Sequence, residues 1–198
     1  MPLTKIKSLG ITDGTILGTD VNSTFDLTGK TVTLPAGVGG KVLQVVQATK
    51  LGTQSISGSS GGNSPETFTD ITDLSVSITP SSTSNKILIL ASLMGSSSND
   101  GFVTLFRNST NLSSPTSPSG RTPSFTGDYY NNPSSGLSRN YPIIYLDSPS
   151  TTSSTTYKLG ACVWETSPIF YVNRAENDTD SGYQTRAVST LVVMEISG

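Results

Sequence analysis

From Lys41 onward, short apolar runs of strand length alternate with clusters of Gly, Pro, Asn and Ser. Leu74-Ser75-Val76-Ser77-Ile78 alternates strictly, which predicts a strand with one face in a core and a serine face turned to solvent or a second subunit. Val42 to Ala48 and Ile87 to Leu93 are apolar on both faces; the first reads as a central strand and the second as one lying deep in a sheet. Phe102 to Phe106, Ile143 to Leu146, Tyr157 to Trp164, Ile169 to Val172 and Arg186 to Ile196 extend the series. The breaks fall at Gly58 to Pro65, Ser113 to Gly127 and Asn131 to Gly136. No window sustains a 3.6-residue period, and Ser, Thr and Gly are poor helix formers. The expected fold is all-β: an N-terminal extended arm followed by a β-sandwich, jelly-roll-like head.

The arm is expected over residues 1–40 and the head over 41–198. In the arm, single apolar residues such as Leu3, Ile11, Ile16, Phe25 and Leu34 are separated by Thr, Asp and Gly, a pattern too sparse to build a core alone. Extended, 40 residues would reach more than about 100 Å. Pro35-Ala36-Gly37-Val38-Gly39-Gly40 marks the joint.

Composition changes the picture in two ways. There is no histidine among the 198 residues, which removes the side chain most used to move protons near neutral pH and any Ser-His-Asp or Cys-His arrangement within one chain. Ser (33) and Thr (28) dominate, and hydrophobic residues are only 33% of the chain, so the core is lean and gains from burial between subunits. With 12 Lys and Arg and a net charge of −2, a nucleic-acid partner is not expected. Nor is membrane insertion, since the longest apolar stretch is Ile87 to Ala91. Lys5 and Lys7 are followed by no apolar run, so neither a secretory signal nor a transit peptide is expected. Cys162, the single cysteine, reads as a small buried residue ahead of a reactive thiol.

Candidate sites are few. Arg121, Tyr129, Tyr130, Asn131, Asn132, Arg139 and Tyr141 fall in a loop-rich segment whose aromatic, amide and charged groups suit a sugar. Alternatively, Tyr129 and Tyr130 pin a long loop to the sandwich or to a neighbouring protomer. Glu165, Glu176, Asp178 and Asp180 are the carboxylates a glycosidase would pair, yet their spacing sets no two across a groove, and no enzyme is expected. Asn177-Asp178-Thr179-Asp180-Ser181-Gly182 loosely resembles a calcium loop but lacks the distal Glu. It reads as a hairpin turn between Ile169–Arg174 and Arg186–Ile196, with no metal and no cofactor expected. In the last strand, Leu191 and Val193 are taken as oligomer-interface residues, the alternative being a central strand covered by its own subunit.

Several stretches together resemble small tail-fibre-like structural proteins of marine tailed bacteriophages (cyanophage or pelagiphage type). They are Ile11-Thr12-Asp13-Gly14-Thr15-Ile16, Leu27-Thr28-Gly29-Lys30-Thr31-Val32-Thr33-Leu34-Pro35, the block from Phe68 to Pro80, Ser84-Asn85-Lys86-Ile87-Leu88-Ile89, and the ending Ser189 to Ile196. The resemblance implies a homotrimer in the virion, assembled in the host cytoplasm, with its arm on another virion protein and its head outward toward a host-surface glycan. A capsid decoration protein or head fibre is the alternative it leaves open. It carries over no site residues.

Overall fold

The computed structural model describes residues 41–59, 67–113, 115, 119–128 and 137–198, and among these there is no helix. The expected arm over residues 1–40, and Tyr129, Tyr130, Asn131 and Asn132, lie outside the described residues.

Two antiparallel sheets pack face to face as a β-sandwich. One holds β1 (Val42–Lys50), β2 (Gln54–Ser57), β4 (Lys86–Ser97), β8 (Arg139–Asp147), β10 (Ile169–Val172) and β11 (Ser189–Ile196). The other holds β3 (Thr69–Ile78), β5 (Gly101–Arg107), β6 (Thr110–Asn111), β7 (Thr126–Asp128) and β9 (Thr155–Val163). In the first sheet β4 is central, with β8 along one side and β11 then β10 along the other. Thr190 stands opposite Ser92, and Val172 opposite Gly95. β1 and β2 follow each other in the same way along β11 and β10. In the second sheet the order is β3-β9-β5, with β6 and β7 both on β5.

Period-two alternation sets the core. In β4, Ile87, Ile89, Ala91 and Leu93 are buried; Leu191 and Val193 of β11 and Tyr141 and Ile143 of β8 join them. From the second sheet come Ile71, Leu74, Val76 and Ile78 of β3, Val103 and Leu105 of β5, and Tyr157, Leu159 and Ala161 of β9. Burying each large apolar side chain here is worth about 1.5–3 kcal/mol. The three-residue step from Ile71 to Leu74 keeps both inside because a bulge separates Asp70 from Ser75, with Asp73 at φ 65°. Cys162 is buried, on β9.

Two sequence expectations change. Val42 to Ala48 forms an edge strand, not a central one: β1 pairs only with β11, and its outward Val45 is 56% exposed. Apolar residues on both faces do not say whether strands flank both edges. Nor do the strands around Asn177–Gly182 form a hairpin with each other. They lie in succession along β4, and the loop between them is pinched by the Arg174–Arg186 bridge.

Buried polar groups close the sandwich. Asp147 accepts from Nη1 of Arg107 through both carboxylate oxygens, each at 2.9 Å, and from the Tyr157 hydroxyl at 2.6 Å. Asn173, at φ 61°, donates to the carbonyls of Lys50 (2.8 Å) and Gly52 (3.0 Å) and accepts from the Ser189 hydroxyl (2.5 Å), tying β10 and β11 to the end of β1. Glu195 points inward from β11 and is met by Gln44, Ser81 and Asn85.

Candidate functional site

The loop segment expected to bind a sugar is only partly a surface. Tyr141 is 3% exposed: as an inward position of β8 it enters the core, with its ring 5.3 Å from that of Phe170. Burial, and secondarily Asp128, pushes its hydroxyl up to about 12, against the pull of Arg139. It is therefore a core residue and not a ligand contact. Arg139, two positions earlier and on the same phase, lies at the exposed strand end and forms an ion pair with Asp128 of β7. The space these residues share with Ser96, Ser97 and Leu137 is about 10 Å³, room for about one water and no sugar. Arg121 is exposed.

The loop from Arg174 to Arg186 surrounds a shallow cleft of about 260 Å³ lined by Asp178, Thr179, Asp180, Ser181, Gln184 and Arg186. Asp178 is shared between Arg186 and Arg174, the latter at 3.3 Å, and the hydrogen bond from Arg186 holds its carboxyl below the usual range. The Arg174 guanidinium also lies 4.1 Å from the centre of the Tyr171 ring. Both cations occupy the carboxylate that a calcium ion or a glycosidase would need. Glu176 is the opposite case: burial raises its carboxyl, Arg174 opposing. Among the described residues no three His, Cys, Asp or Glu side chains gather as metal ligands would.

A further surface, apolar among the described residues, is the outer face of the six-stranded sheet. Strand register sets Val45, Met194, Leu88 and Leu146 in one row across β1, β11, β4 and β8, and Gln47, Val192, Leu90 and Ile144 in the next. Val42 and Ile196 extend one end, next to Lys86; Thr49, Thr190, Ser92 and Pro142 form a polar margin at the other. Ile144 is 76% exposed and Leu146 55%, and the β4 and β11 members are half-buried by their neighbours. The other sheet presents the usual solvent face. There Ser77 meets Thr156 at 2.8 Å and Lys158 pairs with Asp70 at 2.5 Å.

Leu191 and Val193 are not on this face. Both are fully buried within the sandwich, because Glu195, Val193, Leu191 and Ser189 share the inward phase of β11 and Val192, Met194 and Ile196 the outward one. The last strand is apolar on both faces, and period two alone does not say which phase is inside. The same two-sided signal in Ile87 to Leu93 marks Leu88 and Leu90, and adjacency of the four strands, invisible in the sequence, turns these signals into one patch.

No protein-family model matches the chain, and no curated protein matches it.

Proposed function

We propose that the chain is a bacteriophage virion structural protein: a short, homotrimeric fibre whose residues 1–40 dock on another virion protein and whose head faces the host surface, a glycan being the expected ligand. The observation that carries this proposal is an all-β sandwich whose six-stranded sheet presents a row of exposed and half-buried apolar side chains on its outer face. Strand order adds support. If β1 with β2, β6 with β7, and β10 with β11 are each taken as one interrupted strand, the first, eighth, third and sixth strands face the second, seventh, fourth and fifth. That is jelly-roll order, an architecture used in capsid and lectin domains.

A mainly structural role, as a capsid decoration protein or head fibre, is the second reading. It is favoured by the burial of Tyr141 and the pairing of Arg139 with Asp128, which leave less of the predicted contact surface open. Immunogold electron microscopy with an antibody to the head tests both. Label at the tail of intact particles supports the fibre, label over the capsid supports decoration, and particles without label contradict a virion role.

A further inference from the structure

We infer that the cleft in the loop from Arg174 to Arg186 is a subsite for one neutral sugar unit of a glycan. The inference rests on the glycan attachment proposed above, and moves its location from the Arg121–Tyr141 segment to the loop between β10 and β11. At about 30 Å³ per water, the cleft of about 260 Å³ holds about nine, enough to seat one sugar ring with part of it in solvent. The loop is held at its neck, where Arg174 bridges Arg186 and the Ala187 amide donates to the Asn173 carbonyl at 3.0 Å. Within it the Gln184 amide N–H donates to the Ser181 carbonyl at 2.9 Å. These bonds shape the cleft before a ligand arrives, which lowers the ordering cost of binding.

The charges select a neutral ligand. Asp178 is shared by Arg174 and Arg186, and Asp180 lies close enough to act on Arg186 as well. An anion would have to draw a guanidinium off Asp178, and a cation would have to draw Asp178 off two guanidinia. The other lining residues, Thr179, Ser181 and Gln184, are uncharged hydrogen-bonding groups, so the described lining offers no apolar pocket for a peptide side chain. Vicinal sugar hydroxyls donate and accept at neighbouring positions, as such a lining requires. Gln184 sharpens the match. Neither its amide oxygen nor its amide nitrogen has a hydrogen-bond partner among the described residues, although both are shielded from solvent. Its terminal torsion is broad, and turning it breaks no hydrogen bond among those residues, so a donor and an acceptor can swing together toward a hydroxyl in the cleft. Tyr183, next to Gln184 and 70% exposed, supplies an aromatic face of the kind that packs on sugar C–H groups. A shallow single-unit site binds weakly alone, and many copies on one particle raise its avidity.

The test uses the full chain and saturation-transfer NMR with D-glucose, D-galactose, D-mannose, N-acetyl-D-glucosamine and the anionic N-acetylneuraminic acid as probes. Asp180→Ala and Tyr183→Ala change exposed side chains, so the sandwich is retained, which a cooperative melt checks; Tyr183→Phe keeps the ring as the conservative control. Wild type and Tyr183→Phe are expected to give transfer to at least one of the four neutral sugars, reduced at least about fivefold in Asp180→Ala and Tyr183→Ala. No transfer to any neutral sugar, transfer that both alanine variants leave unchanged, or transfer to N-acetylneuraminic acid alone overturns the cleft. Binding of the fluorescently labelled chain to host cells separates this inference from the reading beneath it. Cell binding that survives undiminished in both alanine variants overturns the cleft and spares glycan attachment, whereas a wild type that binds no cells overturns both.

Discussion

Glu195 makes the stability of the head acid-sensitive in a calculable way. Its carboxylate accepts hydrogen bonds from Nε2 of Gln44 (2.6 Å), N and Oγ of Ser81 (2.7 and 2.8 Å) and Nδ2 of Asn85 (2.5 Å). Burial alone would raise the group. The bonds from Asn85, Gln44 and Ser81 outweigh burial and bring it from 4.5 to about 2. Because the folded value lies below the unfolded one, the stabilisation is complete above about pH 4.5 and is lost as pH falls toward 2. At about 1.36 kcal/mol per pH unit the interval sets a ceiling of about 3 kcal/mol. The cluster sits at the rim of the sandwich, where solvent screens it, so about 1–2 kcal/mol is expected. Glu195→Gln keeps the volume, removes the charge and turns an amide N–H toward groups that are themselves donors. Urea unfolding of wild type and Glu195→Gln at pH 7 should differ by about 2 kcal/mol, with the gap closing as the wild type is acidified toward pH 2. A gap that stays constant across this range, or no gap at pH 7, would refute the assignment.

Further outcomes follow from the same geometry. Leu191→Ala should lose about 2–5 kcal/mol in denaturant unfolding, whereas Val192→Ala on the half-buried outward phase should lose less than about 1 kcal/mol. Tyr157→Phe removes the hydroxyl that donates to Asp147 at 2.6 Å and should cost about 1–2 kcal/mol, read as a lowered melting temperature. Gly58→Ala would place a Cβ 1.6 Å from the carbonyl oxygen of Glu165, so the backbone must shift; a loss of about 3 kcal/mol is expected, and a variant as stable as wild type would place that loop elsewhere. Cys162, 1% exposed, should react with a thiol reagent only after unfolding, which a comparison of native and guanidinium-treated protein would show.

Much of the sandwich was legible because its strands are short apolar runs bounded by turn residues, alternating in Leu74 to Ile78 and apolar on both faces in Ile87 to Leu93. These two lie in β3 and β4, and Tyr157 to Trp164 coincides with β9 except for Trp164, one residue past its end. Gln54–Ser57, Thr110–Asn111 and Thr126–Asp128 escaped notice because each is four residues or fewer and mostly polar, held in place by a longer neighbour. The candidate surfaces were less legible. Tyr141 reads as a loop aromatic until β8 is seen to begin at Arg139, which fixes its phase inward. Leu191 and Val193, expected at an interface, lie on the inward phase of β11, which the sequence did not reveal because a one-residue change of phase exchanges every side chain between faces. Glu195, among the apolar residues of the last strand, gave no sign of the buried cluster, because Gln44, Ser81 and Asn85 come from distant parts of the chain.

The most direct measurement of the central claim is the native mass of the purified full-length chain by light scattering. A mass of about 62 kDa, three times the 20.7 kDa of one chain, is what a closed homotrimer predicts. A mass near 20.7 kDa that persists with rising concentration would contradict an assembling virion subunit.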